Sequence, residues 1–156
     1  MIEVEIEDDA WTLALPDAAA VAERAAQAVL DEIEPTDEGG EEQGVVVLLT
    51  SDETVAELNQ RFRSKAGPTN VLSFPASSNP ENHLGDVALA HGVCAREAAE
   101  QGKTLDQHLA HLVVHGVLHL LGYDHETDGE AEAMEALERS ILESLGVPDP
   151  YASERA

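Results

Sequence analysis

The sequence has few positively charged residues. Only 8 Lys and Arg oppose 32 Asp and Glu, which gives a formal net charge of −24. Proteins that hold nucleic acid through their whole surface need Lys and Arg to neutralise phosphates, so this composition excludes that class. It disfavours binding to an anionic membrane surface for the same reason. Any contact with a polyanion therefore has to be local.

Cysteine, aromatic residues and long apolar runs are also scarce. The single cysteine, Cys94, allows no intrachain disulfide, which indicates a reducing compartment. One Trp, two Tyr and two Phe leave the core to aliphatic residues. No run reaches the ~18 apolar residues of a membrane-spanning helix, and the acidic first residues do not resemble a signal peptide. We therefore expect a cytoplasmic protein that does not bind membranes.

Hydrophobic residues make up 43% of the chain and recur with the periods of strands and helices. Strands are predicted over 2–7, 45–49, 69–74 and 84–90. Helices are predicted over 17–33, from Thr50 to Phe62, over 92–101, from Thr104 to Gly122 and from Thr127 to Gly146; the three threonines open capping boxes. Because the strands come early and the helices late, we predict an α+β fold. It has a mixed sheet of about four strands with helices packed on it, in a single domain spanning 1–156.

A histidine cluster near the end of the chain has the spacing of metal ligands. His115 and His119 are four residues apart on a predicted helix, so their rings project from one face about 6 Å apart along the axis. Gly122 ends that helix and turns the chain back, which can bring His125 to the same ion. Three histidines leave an open position, as in catalytic zinc sites. We predict one Zn²⁺ per chain on His115, His119 and His125, with a metzincin-like arrangement of helix and cleft.

The other histidines are predicted to have lesser roles. His111 shares the face of the two ligands, but residues 111 to 119 span about 12 Å of helix, too far to meet at one ion. His108 and His111 are therefore expected to pack in the core or to hydrogen-bond the ligands. His83 and His91 are expected to be ordinary histidines of a loop or a helix start. Nickel, copper and iron also accept three imidazoles, so the native metal stays open beyond zinc.

Position 116 separates this motif from that of the metzincin proteases. Those enzymes carry H-E-x-x-H-x-x-G-x-x-H, with the Glu as general base, whereas this chain has Gly116 in its place. Peptide hydrolysis by the usual route then lacks its proton acceptor. Asp124 and Glu126 flank His125 and are candidate acid or base groups, although a surface position or a hydrogen bond to a ligand is the more usual role for such a carboxylate.

The second unusual segment is free of acidic residues. From Leu58 to Pro80, the acid-free segment, there is no Asp or Glu. Basic residues near a helix end are one ordinary explanation, because the helix dipole favours them there. The other explanation is an anion site in which Arg63 grips a phosphate through two parallel hydrogen bonds. Further substrate contacts are then predicted from the charged and neutral donors around it: Arg61, Lys65, Asn70 and Ser73.

Long motifs of this sequence resemble the YbeY family of bacterial endoribonucleases. The resemblance rests on Leu58-Asn59, Phe62-Arg63, the run PTNVLSFP at 68–75, LGDV at 84–87 and HLVVHGVLHLLGYDH at 111–125. It continues to the DPY run at 149–151 and covers nearly the whole chain except the acidic segment near 34–43. The visible departure is Ala66, where many members carry Asp, and it lies outside the metal motif.

The resemblance implies a zinc-dependent, single-strand-specific endoribonuclease. It implies a role in ribosomal RNA maturation, notably at the 3′ end of the small-subunit RNA, and in ribosome quality control. His115, His119 and His125 match the family's zinc ligands, and Arg63 matches its essential arginine. The fold implied is α+β with the metal in a cleft, which agrees with the fold predicted from the hydrophobic pattern.

Two routes to phosphodiester cleavage remain open. A zinc-bound hydroxide could attack phosphorus while Arg63 stabilises charge on the oxygens, or the 2′-OH of the RNA could attack with zinc as a Lewis acid. A metallopeptidase-like hydrolase is one alternative function, which Gly116 disfavours. A non-catalytic, zinc-dependent ribosome-binding module is another, and it would not need an open coordination position.

The acidic surface limits where RNA can bind. Contact is expected only at the acid-free segment and the zinc cleft, because the carboxylates elsewhere repel a polyanion. We therefore expect weak binding to free single-stranded RNA, productive contact supplied by the ribosome or ribosomal proteins, and no binding of DNA.

Overall fold

Four strands form one sheet in the part of the chain that the computed structural model describes, residues 2–33, 44–63, 67, 69–75, 83–123 and 127–147. The strands are β1 (Ile2–Ile6), β2 (Gly44–Thr50), β3 (Val71–Pro75) and β4 (His83–Ala90). Their order is β1-β2-β4-β3; β1 runs parallel to β2 and β2 to β4, whereas β3 is antiparallel to β4. The predicted mixed sheet of four strands is confirmed.

Helices surround this sheet. They are α1 (Ala10–Ala14), α2 (Ala18–Ile33), α3 (Asp52–Arg63), α4 (His91–Glu100), α5 (Leu105–Leu120) and α6 (Asp128–Ser144). The sequence pattern did not predict α1, which is too short to show a helical period. Its buried Trp11 donates an indole N–H to the carbonyl oxygen of Thr50 at 3.0 Å, so the helix is held by a contact distant in sequence. No helix in the described residues is long and apolar enough to cross a membrane.

Two of the three predicted capping boxes lie where expected. The hydroxyl oxygens of Thr104 and Thr127 accept the backbone N–H groups three residues further on, which begins α5 and α6. The prediction for Thr50 is wrong. Thr50 is buried in β2 opposite Ala90, and the hydroxyl of Ser51 instead accepts the N–H of Thr54 at 3.1 Å. Strand pairing therefore delays the start of α3 by one residue.

The two faces of the sheet carry cores of different size. On one face Val87 and Leu89 of β4 join a large aliphatic cluster with α2, α5 and α6. On the other face Ala88 and Ala90 of the same strand meet Val55 of α3 in a small cluster. The central helix is α5, with ten of its 16 residues buried. A helix held this firmly gives its few accessible side chains fixed positions.

Candidate metal centre

Three histidines line the accessible face of α5. Between residues 108 and 120, every residue is buried except His111, His115 and His119, which are half-buried. Their spacing of four places them on one side of the helix, one turn apart. From residue 108 to the end of α5, the one stripe that reaches solvent therefore consists of imidazoles.

The rings of His115 and His119 converge. Their centroids are 4.6 Å apart with an interplanar angle of 80°, and the two Nε2 atoms are 3.0 Å apart. Two nitrogens bound to one tetrahedral zinc at 2.0–2.1 Å would be about 3.3 Å apart. The pair therefore fits a shared zinc ion with a shift of a few tenths of an ångström.

The turn after α5 is built as predicted, up to the last described residue. Gly122 has φ +97°, its N–H donates to the carbonyl oxygen of His119, and the N–H of Tyr123 donates to that of Leu118. This is a Schellman motif, which ends a helix with a glycine in the left-handed region. The third predicted ligand, His125, and its neighbours Asp124 and Glu126 lie outside the described residues. Within those residues no group of three potential metal ligands occurs.

Sequence reasoning missed a carboxylate at this site. Glu138 of α6 is fully buried, with its Oε1 2.6 Å from Nδ1 of His115 and its Oε2 3.1 Å from Nε2 of His111. An ionised carboxylate only accepts hydrogen bonds, so with Glu138 ionised both imidazole nitrogens would be donors to it. The sequence did hold a signal: Glu138 falls in the apolar stripe of α6 between Met134 and Ile141, both buried, where an acidic residue needs a partner.

Gly116 faces the sheet and not the metal centre. A Cβ atom at this position would lie 2.7 Å from Cγ1 of Val87 and 3.2 Å from Oγ of Ser73. The close approach of α5 to β3 and β4 leaves no room for a longer side chain. A glutamate could not stand here without moving the helix, which gives a physical reason for the residue that separates this motif from the metzincin proteases.

Of the predicted substrate contacts, Asn70 and Ser73 also hydrogen-bond within the protein. The Asn70 amide donates to Oε1 of Glu97 at 3.0 Å, and the Ser73 hydroxyl donates to the carbonyl oxygen of Gly116 at 3.0 Å. Arg61 is exposed, 3.9 Å from the carboxylate of Glu57. The backbone of α3 ends at Arg63, the residue predicted to bind phosphate. Lys65 lies outside the described residues.

Within the acid-free segment, Asn59 forms a hydrogen bond that joins two parts of the chain. This buried side chain donates from Nδ2 to the carbonyl oxygen of Gly67 at 3.0 Å. The bond joins the last turns of α3 to the chain that leads into β3.

His108 lies in the core, as one of its two predicted roles requires. Its Nε2 is 2.9 Å from Oε1 of Glu97, the oxygen that also accepts from Asn70, while its buried Nδ1 has no hydrogen-bond partner among the described residues. Burial lowers the pKa of His108, and the Glu97 carboxylate opposes this effect. Burial, followed by the charges of Glu97 and Asp52, raises the pKa of the Cys94 thiol, so this cysteine is an inert core residue.

The family profile described as Endoribonuclease YbeY matches residues 5–146. The chain belongs to the YbeY endoribonuclease family. An "Endoribonuclease YbeY" of Maricaulis maris is 50% identical over 153 residues, covering 98% of this chain and 92% of the relative. One of Azorhizobium caulinodans, of the same name, is 52% identical over 156 residues, covering 97% and 96%.

A solved structure also matches this YbeY chain. The solution structure of TM1509 from Thermotoga maritima has a TM-score of 0.57 and 27% sequence identity, and the match covers 93% of this chain and 91% of TM1509. The α+β architecture predicted from the sequence is confirmed by the described residues and agrees with this neighbour.

Membership in the YbeY family confirms the family resemblance and the enzyme class, an RNA-cleaving hydrolase. The metzincin-like detail of the centre stays a prediction, as do the zinc ligands, Arg63 and the substrate contacts. What the described residues add is the geometry of the His115–His119 pair and the carboxylate of Glu138 behind it.

Proposed function

We propose that this protein is a zinc-dependent, single-strand-specific endoribonuclease that matures ribosomal RNA at the 3′ end of the small-subunit RNA and takes part in ribosome quality control. The observation that carries the proposal is the 3.0 Å approach of the His115 and His119 Nε2 atoms, on the only accessible stripe of the described part of α5 from residue 108 onward. Relatives at about half identity carry the name Endoribonuclease YbeY, which supports RNA as the substrate.

The proposed ligands are His115, His119 and His125, with one zinc per chain. When bound there, zinc supplies a Lewis acid that stabilises negative charge on phosphoryl oxygens. The protein's contribution is to hold the first two imidazoles on a helix buried in the core, so that they need to shift by only a few tenths of an ångström to accept the ion. The Schellman turn at Gly122 ends α5 soon after these two histidines, as the proposed participation of His125 requires.

Arg63 is the proposed catalytic residue. Its guanidinium can donate two parallel hydrogen bonds to a phosphate and stabilise the charge that develops on the phosphoryl oxygens during cleavage. The position at the end of α3 and the absence of Asp and Glu from the acid-free segment support this role. Arg61, Lys65, Asn70 and Ser73 are proposed to hold the RNA strand on either side.

The attacking group is proposed to be either a water molecule or the 2′-OH of the RNA, with Asp124 and Glu126 as candidate proton carriers. Analysis of the product ends separates the two routes. A 2′,3′-cyclic phosphate forms only when the 2′-OH of the RNA attacks, whereas hydrolysis by water leaves no cyclic product.

The net charge of −24 confines RNA to this site. We propose that free RNA binds weakly and that the ribosome or its proteins supply most of the binding energy, in a protein located in the cytoplasm. The basic residues of the acid-free segment then serve to place the scissile phosphate. They do not supply the bulk of the affinity.

The proposal is tested with a defined single-stranded RNA that carries the 3′ end of the small-subunit RNA. Wild-type protein, Arg63→Ala and His119→Ala are compared after metal removal and after addition of zinc. Arg96→Ala is the matched control, because Arg96 is exposed on α4 and pairs only at 3.7 Å with Asp52 among the described residues. Cleavage is expected from the wild type and the control with zinc, and at least 100-fold less from the other two variants.

Cleavage that survives both substitutions in metal-free protein would point to a contaminating nuclease and overturn the proposal. Zinc content measured by mass spectrometry gives an independent result. One zinc per chain is expected in the wild type and in Arg63→Ala, and a large loss of zinc is expected in His119→Ala.

A further inference from the structure

We propose that Glu138 is a positioning residue of the metal centre. Its carboxylate fixes the tautomer and the orientation of His115, and His111 holds the carboxylate in place from the other side. The inference rests on the proposed zinc site and deepens it, because it assigns roles to two residues that the ligand set leaves out.

The first step of the argument is the pairing of atoms. Glu138 approaches α5 from α6 and uses one oxygen for each histidine, with Oε1 2.6 Å from Nδ1 of His115 and Oε2 3.1 Å from Nε2 of His111. The two histidines stand one turn apart, so the two contacts fix the carboxylate in both position and rotation. A single contact would leave it free to turn about its own axis.

The second step is burial. The Glu138 side chain is 1% exposed, and those of His111 and His115 are 13% and 24% exposed. A carboxylate removed from water has to be hydrogen-bonded, because an unpaired buried charge is strongly unfavourable. Displacing Glu138 therefore costs much free energy, and the His115 ring that it contacts is held in one orientation as a result.

The third step is the tautomer. A proton on Nδ1 of His115, donated to Glu138, leaves the lone pair of that neutral ring on Nε2. Nε2 is the atom that lies 3.0 Å from Nε2 of His119, at the proposed site of the ion. When a histidine binds a metal through one ring nitrogen, a carboxylate that accepts the N–H of the other ring nitrogen fixes the ring in this way and raises its basicity toward the metal.

The amide of glutamine cannot accept from both histidines as the carboxylate does. An amide has one accepting oxygen and one donating NH₂ group, so it can accept from only one of the two histidines. The other histidine would have to change its tautomer or lose its bond. Glu138→Gln keeps the size of the side chain and so isolates this effect from packing.

The first experiment measures the tautomer of His115 in the metal-free wild type, from the ¹⁵N chemical shifts of its two ring nitrogens. A protonated Nδ1 and an unprotonated Nε2 are expected. The opposite tautomer would overturn the inference. This measurement needs no variant, so it decides the question even if a substitution at Glu138 prevents folding.

The second experiment measures zinc affinity by competition with a chromophoric chelator. Glu138→Gln is expected to bind zinc about 10- to 100-fold more weakly than the wild type. Glu132→Gln is the matched control, since it removes the same charge from an exposed position of the same helix, and it is expected to bind as the wild type does. With Co²⁺ in place of zinc, a changed visible spectrum in Glu138→Gln and an unchanged one in Glu132→Gln would support the same conclusion.

The two proposals fail in different ways. A wild type that binds no zinc would overturn the proposed metal-dependent function and this inference with it. A wild type that binds zinc, together with a folded Glu138→Gln variant of the same affinity and cobalt spectrum, would overturn the positioning role alone.

Discussion

The hydroxyl of Ser73 donates a hydrogen bond to the carbonyl oxygen of Gly116 at 3.0 Å and joins β3 to the middle of α5. The bond forms where helix and sheet are closest, because Gly116 has no side chain to separate them. Since His115 directly precedes Gly116 on the helix, the packing of Gly116 also sets the height of the proposed metal centre above the sheet.

A methyl group at position 116 is expected to destabilise the protein. In Gly116→Ala the new Cβ would lie 2.7 Å from Cγ1 of Val87, closer than carbon atoms approach. Overpacking costs about 1–3 kcal/mol, and helix propensity returns at most ~1, so we expect a net loss of up to about 2 kcal/mol in the free energy of unfolding. Urea denaturation of the metal-free protein measures it.

Gly129→Ala is the control for this substitution. Gly129 is also helical, but nothing lies within 4 Å of a Cβ built there. The variant is expected to be as stable as the wild type or slightly more stable. If Gly116→Ala had the same free energy of unfolding as Gly129→Ala, the close contact between position 116 and the sheet would not affect stability.

A pH-dependent loss of stability is expected from His108. Burial lowers its pKa below the ordinary value of 6.5, and a proton on Nδ1 would find no acceptor within the described part of the chain. The unfolded chain therefore binds more protons at this residue than the folded one, and stability falls as the pH drops below about 6.5 toward the lowered value. Above that pH both states are neutral at this position and the contribution to the slope vanishes.

The comparison that isolates His108 is with His108→Gln, whose amide can still donate to Glu97. Free energies of unfolding of the metal-free proteins are measured between pH 5 and 8. The wild type is expected to lose more stability than the variant over the acidic half of this range. Parallel curves would mean that another group is responsible for the acid sensitivity.

Zinc is expected to stabilise the folded protein, because the unfolded chain does not hold the ligands together. Free zinc at 100 times its dissociation constant should add about 2.7 kcal/mol to the free energy of unfolding. His119→Ala should gain little. Thermal unfolding with and without zinc measures the difference, with Mg²⁺ as the control ion because it prefers oxygen ligands. Equal gains in the wild type and the variant would contradict the proposed ligand set.

Ser51 is expected to cap α3. Ser51→Ala removes the oxygen that accepts the N–H of Thr54 and should cost about 0.5–2 kcal/mol, whereas Ser51→Gly should cost only a few tenths. The free energy of unfolding of the two variants tests the corrected helix start. An alanine variant as stable as the glycine variant would argue against a cap at this residue.

The features that the sequence predicted correctly are those set by local pattern. The spacing of His115 and His119 on a helix, the turn at Gly122 and the caps at Thr104 and Thr127 all depend on residues within a few positions of one another. These local preferences do not depend on tertiary packing, and the folded protein retains them. The periods of the apolar residues placed the four strands for the same reason.

The features that it did not predict depend on contacts between distant segments. Glu138 meets His115 across 23 positions, and Trp11 holds α1 through the backbone of Thr50, 39 positions away. The sequence predicted Asn70 and Ser73 as substrate contacts but did not predict their hydrogen bonds to Glu97 and Gly116, which depend on how β3 lies against its neighbours. A single sequence carries no direct signal for such pairs, although a buried charge in an apolar stripe gives a hint.

The bond between Glu138 and His115 also links metal occupancy to the opening of α6. If the ion binds more tightly when this helix is docked, then by thermodynamic reciprocity the helix opens less often when the ion is bound. Amide hydrogens of α6 should then exchange more slowly in the zinc form, although no residue of this helix is a proposed ligand. The rate of amide exchange in α6 would thus report whether zinc is bound at the proposed site.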